Sequence, residues 1–461
     1  MKKFYNIQAS ALLGGGAFFN AFFQLVINYI VRGAIMEKFV INGGKTLCGK
    51  VKISAAKNAC LPLIAASLIT CGKVTFTECT NISDVVTQLE IFKDYGGKVE
   101  KTSGKVTLDT SAAEYKEIDC EKWSSVRASL FFLGAALARF KKAEICRPGG
   151  CAIGDRPVDI HIDGLKSLGV ECAERENKIY FNAENARAGK VVFRYPSVGA
   201  TINLVTFAAL LKGETEIINA AREPEIVCLC DFLNKLGGDI TGAGEKTIII
   251  RGIKPEKLKS ELVFTPIKDR IEAATFACAV CACGGEISFD YDAPENLFFI
   301  MRALKKAGCG FAVRDKKTVV FRDEKIRLSP VRAIADVYPA LPTDMQPLLC
   351  SALLTASGES YIADRVYPQR FSYAGQLKKF GARFKTEPGL IRVIGIEKLT
   401  AAKVCACDLR GGAALVAAAF SAEGESEIYG AETIKRGYED IQKKFSALGG
   451  DIKLINEVKE R

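Results

Sequence analysis

The chain predicts a mixed helix-and-strand repeat protein, with six copies of one module arranged as two three-fold domains. One observation is a recurring phrase in which an amphipathic helix ends in glycine and an alternating strand follows. Its glycines are Gly96, Gly169, Gly237, Gly308, Gly381 and Gly449, 68 to 73 residues apart. Self-similarity at a fixed period marks one supersecondary unit used repeatedly, and a glycine after the last turn supplies the left-handed C-cap that other residues resist. The other observation is a set of apolar, alanine-rich stretches, one to a unit, at 58–68, 125–138, 200–211, 271–283, 344–355 and 411–422. An interval of about 70 residues holds two helices and several strands. The apolar stretches are therefore read as buried helices and the amphipathic ones as outer helices.

In chain order, residues 1–35 stand apart. Lys2 and Lys3 precede an uncharged stretch from Ala9 to Val31 that is long enough on length alone to span a bilayer. It carries Asn20, Gln24 and Asn28 and no small-residue cleavage site, so it reads as an extension outside the fold, with a membrane anchor as the alternative. Met36-Glu37-Lys38-Phe39 reads as the start of the folded chain. Gly43-Gly44-Lys45-Thr46 suggests a phosphate-binding loop, but Phe39 stands where its leading glycine belongs, which removes simple kinase and nucleotidase readings.

Several buried helices begin at residues with chemistry to offer: Lys57-Asn58, Ser197-Val198-Gly199, Thr343-Asp344 and Asp408-Leu409-Arg410. Helix N-termini attract anions, and their convergence on one cleft would build a phosphate site without a Walker loop. Asp344 and Asp408 also suit plain capping, and that reading stands beside the functional one. The loop Arg147-Pro148-Gly149-Gly150-Cys151-Ala152-Ile153-Gly154-Asp155-Arg156 places a cysteine among glycines and prolines, bracketed by two arginines. Flanking positive charge lowers a thiol pKa from about 8.5, giving one group that both donates and releases a proton. The alternative is a Gly-rich turn with an incidental cysteine.

Composition bounds the partners. With 64 basic and 53 acidic residues the net charge is +11, and 49% hydrophobic content fits a soluble globular chain. The basic residues are scattered, without an arginine-rich tract, so small polyanions suit the charge better than nucleic acid. Seventeen cysteines are too dilute for a disulfide scaffold and, being odd, cannot all pair, which favours a reducing cytosol. Cys278, Cys281 and Cys283 lie in an apolar helix without a complementing ligand pair, so they read as small buried hydrophobes rather than zinc ligands, and no metal is expected. Cys228 with Cys230 and Cys405 with Cys407 read the same way. His161 is the single histidine, so acid–base work falls on Cys, Asp, Glu or Lys; its own role is packing or capping on one reading and substrate contact on the other.

From Met36 to its end the chain resembles the enolpyruvyl transferases, and among them the UDP-N-acetylglucosamine 1-carboxyvinyltransferases of peptidoglycan synthesis. The resemblance rests on eight motifs in family order: Ser54-Ala55-Ala56-Lys57-Asn58-Ala59, Arg127-Ala128-Ser129, the Cys151 loop with Arg156-Pro157-Val158-Asp159-Ile160-His161, and Ser197-Val198-Gly199-Ala200-Thr201, then Ala221-Arg222-Glu223-Pro224-Glu225-Ile226-Val227, Pro342-Thr343-Asp344-Met345-Gln346, Asp408-Leu409-Arg410 and Arg436-Gly437-Tyr438-Glu439. It implies an α/β fold of two inverse α/β barrels, each of three βαβαββ units. Residues 36–56 and 267–461 would form one domain, with the N-terminal strand crossing to complete it, and 57–266 the other, which carries the Cys151 loop. Hinges would lie near Ala56-Lys57 and Pro266-Ile267.

The resemblance also implies chemistry. Catalytic roles fall on Cys151, Asp344, Lys57 and Arg436, with Cys151 as proton donor and target of covalent adducts, and Asp344 as the base for the sugar hydroxyl. Phosphoenolpyruvate would meet Lys57, Asn58, Arg156 and Arg436. UDP-N-acetylglucosamine would meet Arg127, Arg156, Pro157, Val158, Asp159, Ile160, Tyr195, Pro196, Ser197, Val198, Asp344 and Val366, with Asp408, Arg410 and Arg370 in support. No cofactor is implied, no nucleic acid is expected, and a membrane enters only if residues 1–35 anchor the chain. The chain departs from the family at Ser83, Cys228, Thr433 and Tyr195. The rival readings are 5-enolpyruvylshikimate-3-phosphate synthase, against which the Cys151 loop argues, and a non-catalytic polyanion-binding relative.

Overall fold

A computed structural model of the chain describes residues 35–458 apart from 121–122, 124–126, 147–157, 292 and 315–316. The six repeat glycines all adopt positive φ, from 81° at Gly96 and Gly449 to 116° at Gly237 and Gly308. Each follows an outer helical segment: Ser83–Asp94, Asp159–Ser167, Pro224–Lys235, Phe298–Ala307, Tyr373–Leu377 with its 3-10 extension Lys378–Phe380, and Ile441–Ala447. A strand follows each glycine, from Lys98–Thr102 to Asp451–Val458. Only a residue tolerant of left-handed backbone turns the chain from helix to strand so sharply.

The six apolar stretches form the inner helices Lys57–Ala66, Phe132–Phe140, Val198–Ala208, Arg270–Cys283, Gln346–Ala352 and Leu409–Ser421. Their residues fill two hydrophobic cores, one built from Ala55 to Phe264 and one from Phe39 to Ile53 together with Ile271 to Ile452. Two of the predicted helices are shorter than expected. The stretch 125–138 starts as the 3-10 turn Arg127–Phe131 before turning α-helical, and 344–355 starts as the 3-10 turn Thr343–Met345 and ends at Ala352. Pro347 sits in the first turn of the latter, where its missing N–H costs nothing.

Five of the six modules pair one parallel strand couple with two antiparallel partners. Lys190–Val192 runs parallel to Gly213–Ile218, which pairs antiparallel with Thr247–Gly252, which pairs antiparallel with Asp239–Thr241. With the helices Val198–Ala208 and Pro224–Lys235 between them, the chain order is βαβαββ. The 142–182 module has three strands in its sheet. The chain's ends are exchanged: Ile35–Asn42 lies between Glu425–Tyr429 and Asp451–Val458, while Leu47–Val51 runs parallel to Gly285–Phe289. The chain then crosses to the first core and returns beside its own crossing. The Ala56 N–H donates to the Ile267 carbonyl at 2.7 Å, and the Asp269 N–H donates to the Ser54 carbonyl at 2.9 Å.

Cys278 and Cys281 are fully buried core thiols. Cys120 and Cys146 are bonded across a Cα separation of 5.5 Å, a pairing that reading the cysteines as reduced thiols did not anticipate. Among the described residues no helix is long and apolar enough to cross a membrane. The predicted N-terminal extension lies outside the described residues except for Ile35, which already pairs with Val458.

The exchanged strand yields a stability prediction. Phe39 is 0% exposed and faces Ile428 on one side and Leu454 on the other. Phe39→Ala is expected to cost about 3–5 kcal/mol in denaturant unfolding. A chain starting at Met36 should melt with the full-length protein, whereas one starting at Gly43, which lacks the strand between the two terminal ones, should not fold. Equal melting of all three chains would show that the exchanged strand is dispensable.

Candidate active site

Lys57 opens its helix directly after the crossing, which carries its side chain to the junction of the two cores. Its ammonium lies 2.6 Å from Asp84 Oδ2, at the start of the Ser83–Asp94 helix. Arg436, from the second core, donates from Nε to Asp84 Oδ1 at 2.8 Å and from a terminal nitrogen to Oδ2 at 3.5 Å. Asp84 is only 4% exposed. Burial pushes its carboxyl up, but Lys57 and Arg436 outweigh that and hold it below the ordinary aspartate value. Burial works the other way on Lys57, lowering its pKa together with Arg410 and Arg436, against the opposing pull of Asp84.

A second ionic group adjoins this one. The Asp344 carboxylate accepts from an Arg370 terminal nitrogen at 2.7 Å and from Arg410 Nε at 3.2 Å. Both arginines are buried, whereas the Asp344 side chain remains 28% exposed, so the carboxylate is held on a fixed mount and stays partly accessible. Arg410 also stacks over the Tyr438 ring at 5.1 Å. Asp408 accepts from the backbone N–H groups of Arg410 at 3.1 Å and Gly411 at 2.9 Å, capping its helix. Asp344 makes no such cap for the Gln346–Ala352 helix. The capping reading thus describes Asp408, and the arginine mount describes Asp344.

Asp269 bears on both groups, its charge acting on Arg410. It caps the Arg270–Cys283 helix through Ile271 and Glu272, and also accepts from the Lys57 backbone N–H at 3.3 Å. Nearby, Glu272 accepts from the Ser54 N–H at 2.6 Å and from the Lys444 ammonium at 2.5 Å. Glu439 accepts from Thr80 Oγ1 at 3.1 Å and from the Asn81 N–H at 3.2 Å, again joining the two cores. Arg270 forms a buried two-point pair with Glu225 at 3.0 and 3.1 Å.

The predicted sugar-nucleotide residues come from both cores, Arg127, Val158 to Ile160 and Tyr195 to Val198 from the first and Asp344 and Val366 from the second. Arg127 begins a 3-10 turn, Val158 precedes the Asp159–Ser167 helix, and Asp159 and Ile160 open it. Ser197 caps the Val198–Ala208 helix, accepting from the Ala200 N–H at 3.3 Å. Tyr195, joined to Ser197 across Pro196, is 40% exposed, and its hydroxyl is pushed up to about 12 by partial burial and by Tyr367 and Asp336 of the other core. Val366 donates its N–H to Asp364 Oδ1 at 3.0 Å. Asn58 is exposed beside Lys57. Cys151, Arg156 and Pro157 lie outside the described residues.

His161 is buried, with Nδ1 2.9 Å from Asn203 Nδ2, and burial followed by the Arg127 charge lowers its pKa to about 3. A ring held neutral accepts from the amide at Nδ1 and shuttles no protons near neutral pH. Sequence reasoning gave no role to Asp84, Asp269 or Glu272, and it named Glu439 only as part of a motif. The pattern Asp269-Arg270-Ile271-Glu272 had the spacing of a helix start. Asp84, two residues into a helix, carried no comparable signal.

The family EPSP synthase (3-phosphoshikimate 1-carboxyvinyltransferase) matches residues 41–445. The UDP-N-acetylglucosamine 1-carboxyvinyltransferase 2 of Caldanaerobacter subterraneus subsp. tengcongensis is 40% identical over 417 residues, covering 90% of this chain and 99% of the relative. The Bacillus subtilis protein of the same description is 39% identical, covering 90% and 96%. Among solved structures, the enolpyruvyl transferase NikO from Streptomyces tendae superposes with a TM-score of 0.82 at 23% identity, covering 92% of this chain and all of that one. An EPSP synthase from Acinetobacter baumannii superposes with a TM-score of 0.70 at 16% identity, covering 91% and 100%. With its two-barrel α/β architecture and with the Lys57, Asp344, Arg410 and Arg436 motifs in neighbouring ionic groups, this chain belongs to the enolpyruvyl transferase family and is an enzyme of the UDP-N-acetylglucosamine 1-carboxyvinyltransferase group.

Proposed function

We propose that the chain transfers the enolpyruvyl group of phosphoenolpyruvate to the 3-hydroxyl of UDP-N-acetylglucosamine, releasing phosphate, in the cytoplasm and as the first committed step of peptidoglycan synthesis. The observation that carries this reading is the Asp344 carboxylate, partly exposed and mounted on two buried guanidiniums, one of which, Arg410, also acts on Lys57 in its group with Asp84 and Arg436. The sugar hydroxyl gives its proton to Asp344 as its oxygen bonds to C2 of phosphoenolpyruvate, and Cys151 delivers a proton to C3. Loss of a proton from C3 and of phosphate from C2 then gives the vinyl ether. Lys57, Arg156 and Arg436 bind the phosphate and carboxylate of phosphoenolpyruvate, with Asn58 beside them. Arg127, the 157–160 segment, the 195–198 segment and Val366 hold the sugar nucleotide. The shikimate-phosphate alternative is less favoured, because relatives at 37–40% identity are named for the UDP-sugar, while the EPSP synthase structures share 16%.

Asp344→Asn keeps the shape and one hydrogen-bond acceptor but loses the base. Turnover is expected to fall about 100- to 10,000-fold, with UDP-sugar affinity retained in calorimetric titration. Near-normal turnover would reduce Asp344 to a structural anchor for Arg370 and Arg410.

The Cys151 assignment predicts that Cys151→Ser is nearly inactive, because a hydroxyl is too weak an acid to protonate a vinyl carbon at neutral pH, whereas Cys151→Asp keeps a titratable proton and some activity. Fosfomycin with UDP-sugar should label wild-type Cys151 and leave the Asp variant unmodified. A mass spectrum with the adduct on another cysteine would overturn the role given to this thiol.

A further inference from the structure

Asp84 belongs to none of the expected binding or catalytic sets, yet among the described residues it is the one carboxylate that both Lys57 and Arg436 touch. It is 4% exposed, its two oxygens lie 2.6 Å from Lys57 Nζ and 2.8 Å from Arg436 Nε, and those cations come from different cores. We propose that Asp84 is a positioning residue of the anion pocket, a single buried carboxylate that gathers Lys57 and Arg436 and keeps Lys57 a cation until an anionic substrate arrives. The inference takes from the proposed function that these two cations bind phosphoenolpyruvate, and it goes beyond that reading in saying what holds them ready.

The charges around Lys57 make the case. From the Ser83–Asp94 helix it faces Asp84; from the segment following Ala431–Lys435 it faces Arg436; from the Leu409–Ser421 helix it meets the field of Arg410; and from the returning crossing, Asp269 accepts from its backbone N–H. Burial and two guanidiniums favour the neutral amine, and Asp84 is the counterweight touching the ammonium. Arg436 is 46% exposed on its side chain, so it can leave the shared carboxylate for a substrate oxygen more readily than Lys57, at 12%. With a neutral Lys57 the pocket would offer phosphoenolpyruvate one cation fewer, so loss of Asp84 should weaken phosphoenolpyruvate binding as pH rises. The sign follows from direction: a lysine whose folded pKa is depressed loses its charge as pH climbs through that lowered value.

Carbamoylation by cyanate reads the amine directly, since only neutral Lys57 reacts, and it needs no turnover, so it stands apart from the transfer reaction itself. Peptide mass spectrometry on the full-length protein should show Lys57 in Asp84→Asn reacting at least about tenfold faster than wild type at pH 8, equivalent to a midpoint lowered by about one pH unit or more. Asp84→Glu should stay near wild type. Arg436→Gln, which removes a cation from a partly exposed position, should react more slowly than wild type, and this variant decides the matter if Asp84→Asn fails to fold. In steady-state kinetics, Asp84→Asn should raise the KM for phosphoenolpyruvate increasingly toward alkaline pH and leave that for the UDP-sugar unchanged. Equal labelling of wild type and Asp84→Asn, or of wild type and Arg436→Gln, would overturn the proposal. A wild type that labels as expected but never forms the vinyl ether would instead overturn the proposed function.

Discussion

Lys57, Arg270, Arg370 and Arg410 are all largely removed from water along the line where the two cores meet. A buried cation costs several kcal/mol unless a well-placed carboxylate compensates it, so each position is tied to its partner: Asp84 for Lys57, Glu225 for Arg270, Asp344 for Arg370 and Arg410. Most of these partners lie far apart in sequence, and the Arg436–Asp84 and Arg270–Glu225 pairs join one core to the other. These ionic positions are therefore set by charge compensation at a junction rather than by a single loop. Removing one member leaves the others uncompensated, which is why changes here should reach function through charge and position together.

The junction exists because the chain is threaded in exchange. Ile35–Asn42 and Leu47–Val51 complete sheets of the second core, and Glu261–Phe264 completes a sheet of the first by pairing with Lys73–Phe76. The two crossings then lie side by side, and the residues that follow them, Lys57 and Asp269, bond to each other. Two modest backbone hydrogen bonds at the crossing fix where both Lys57 and the cap of a neighbouring inner helix sit.

Much of this was legible in the residues. The six glycines foretold six left-handed turns because positive φ is a local demand that only glycine meets cheaply, and the apolar stretches foretold inner helices because burial on all sides leaves no polar face. Asp408 was legible as a cap, since capping is decided within three residues. Asp344 looked the same from its neighbours and is not a cap, because its partners stand at 370 and 410. Asp84 and Asp269 were missed for a related reason: a buried acid is explained by the cations that meet it, and those come from other modules. The Cys120–Cys146 bond, 26 residues apart among seventeen cysteines, had no local signature either.

The account stands on one claim, that this ionic junction performs enolpyruvyl transfer to a UDP-sugar. The most direct measurement is phosphate release from phosphoenolpyruvate by the purified full-length chain, with UDP-N-acetylglucosamine and with shikimate 3-phosphate as separate acceptors, and the mass of each acceptor followed in parallel. The account predicts phosphate release and a carboxyvinyl mass increment with the UDP-sugar alone. Release with shikimate 3-phosphate instead, or with neither acceptor, would contradict it.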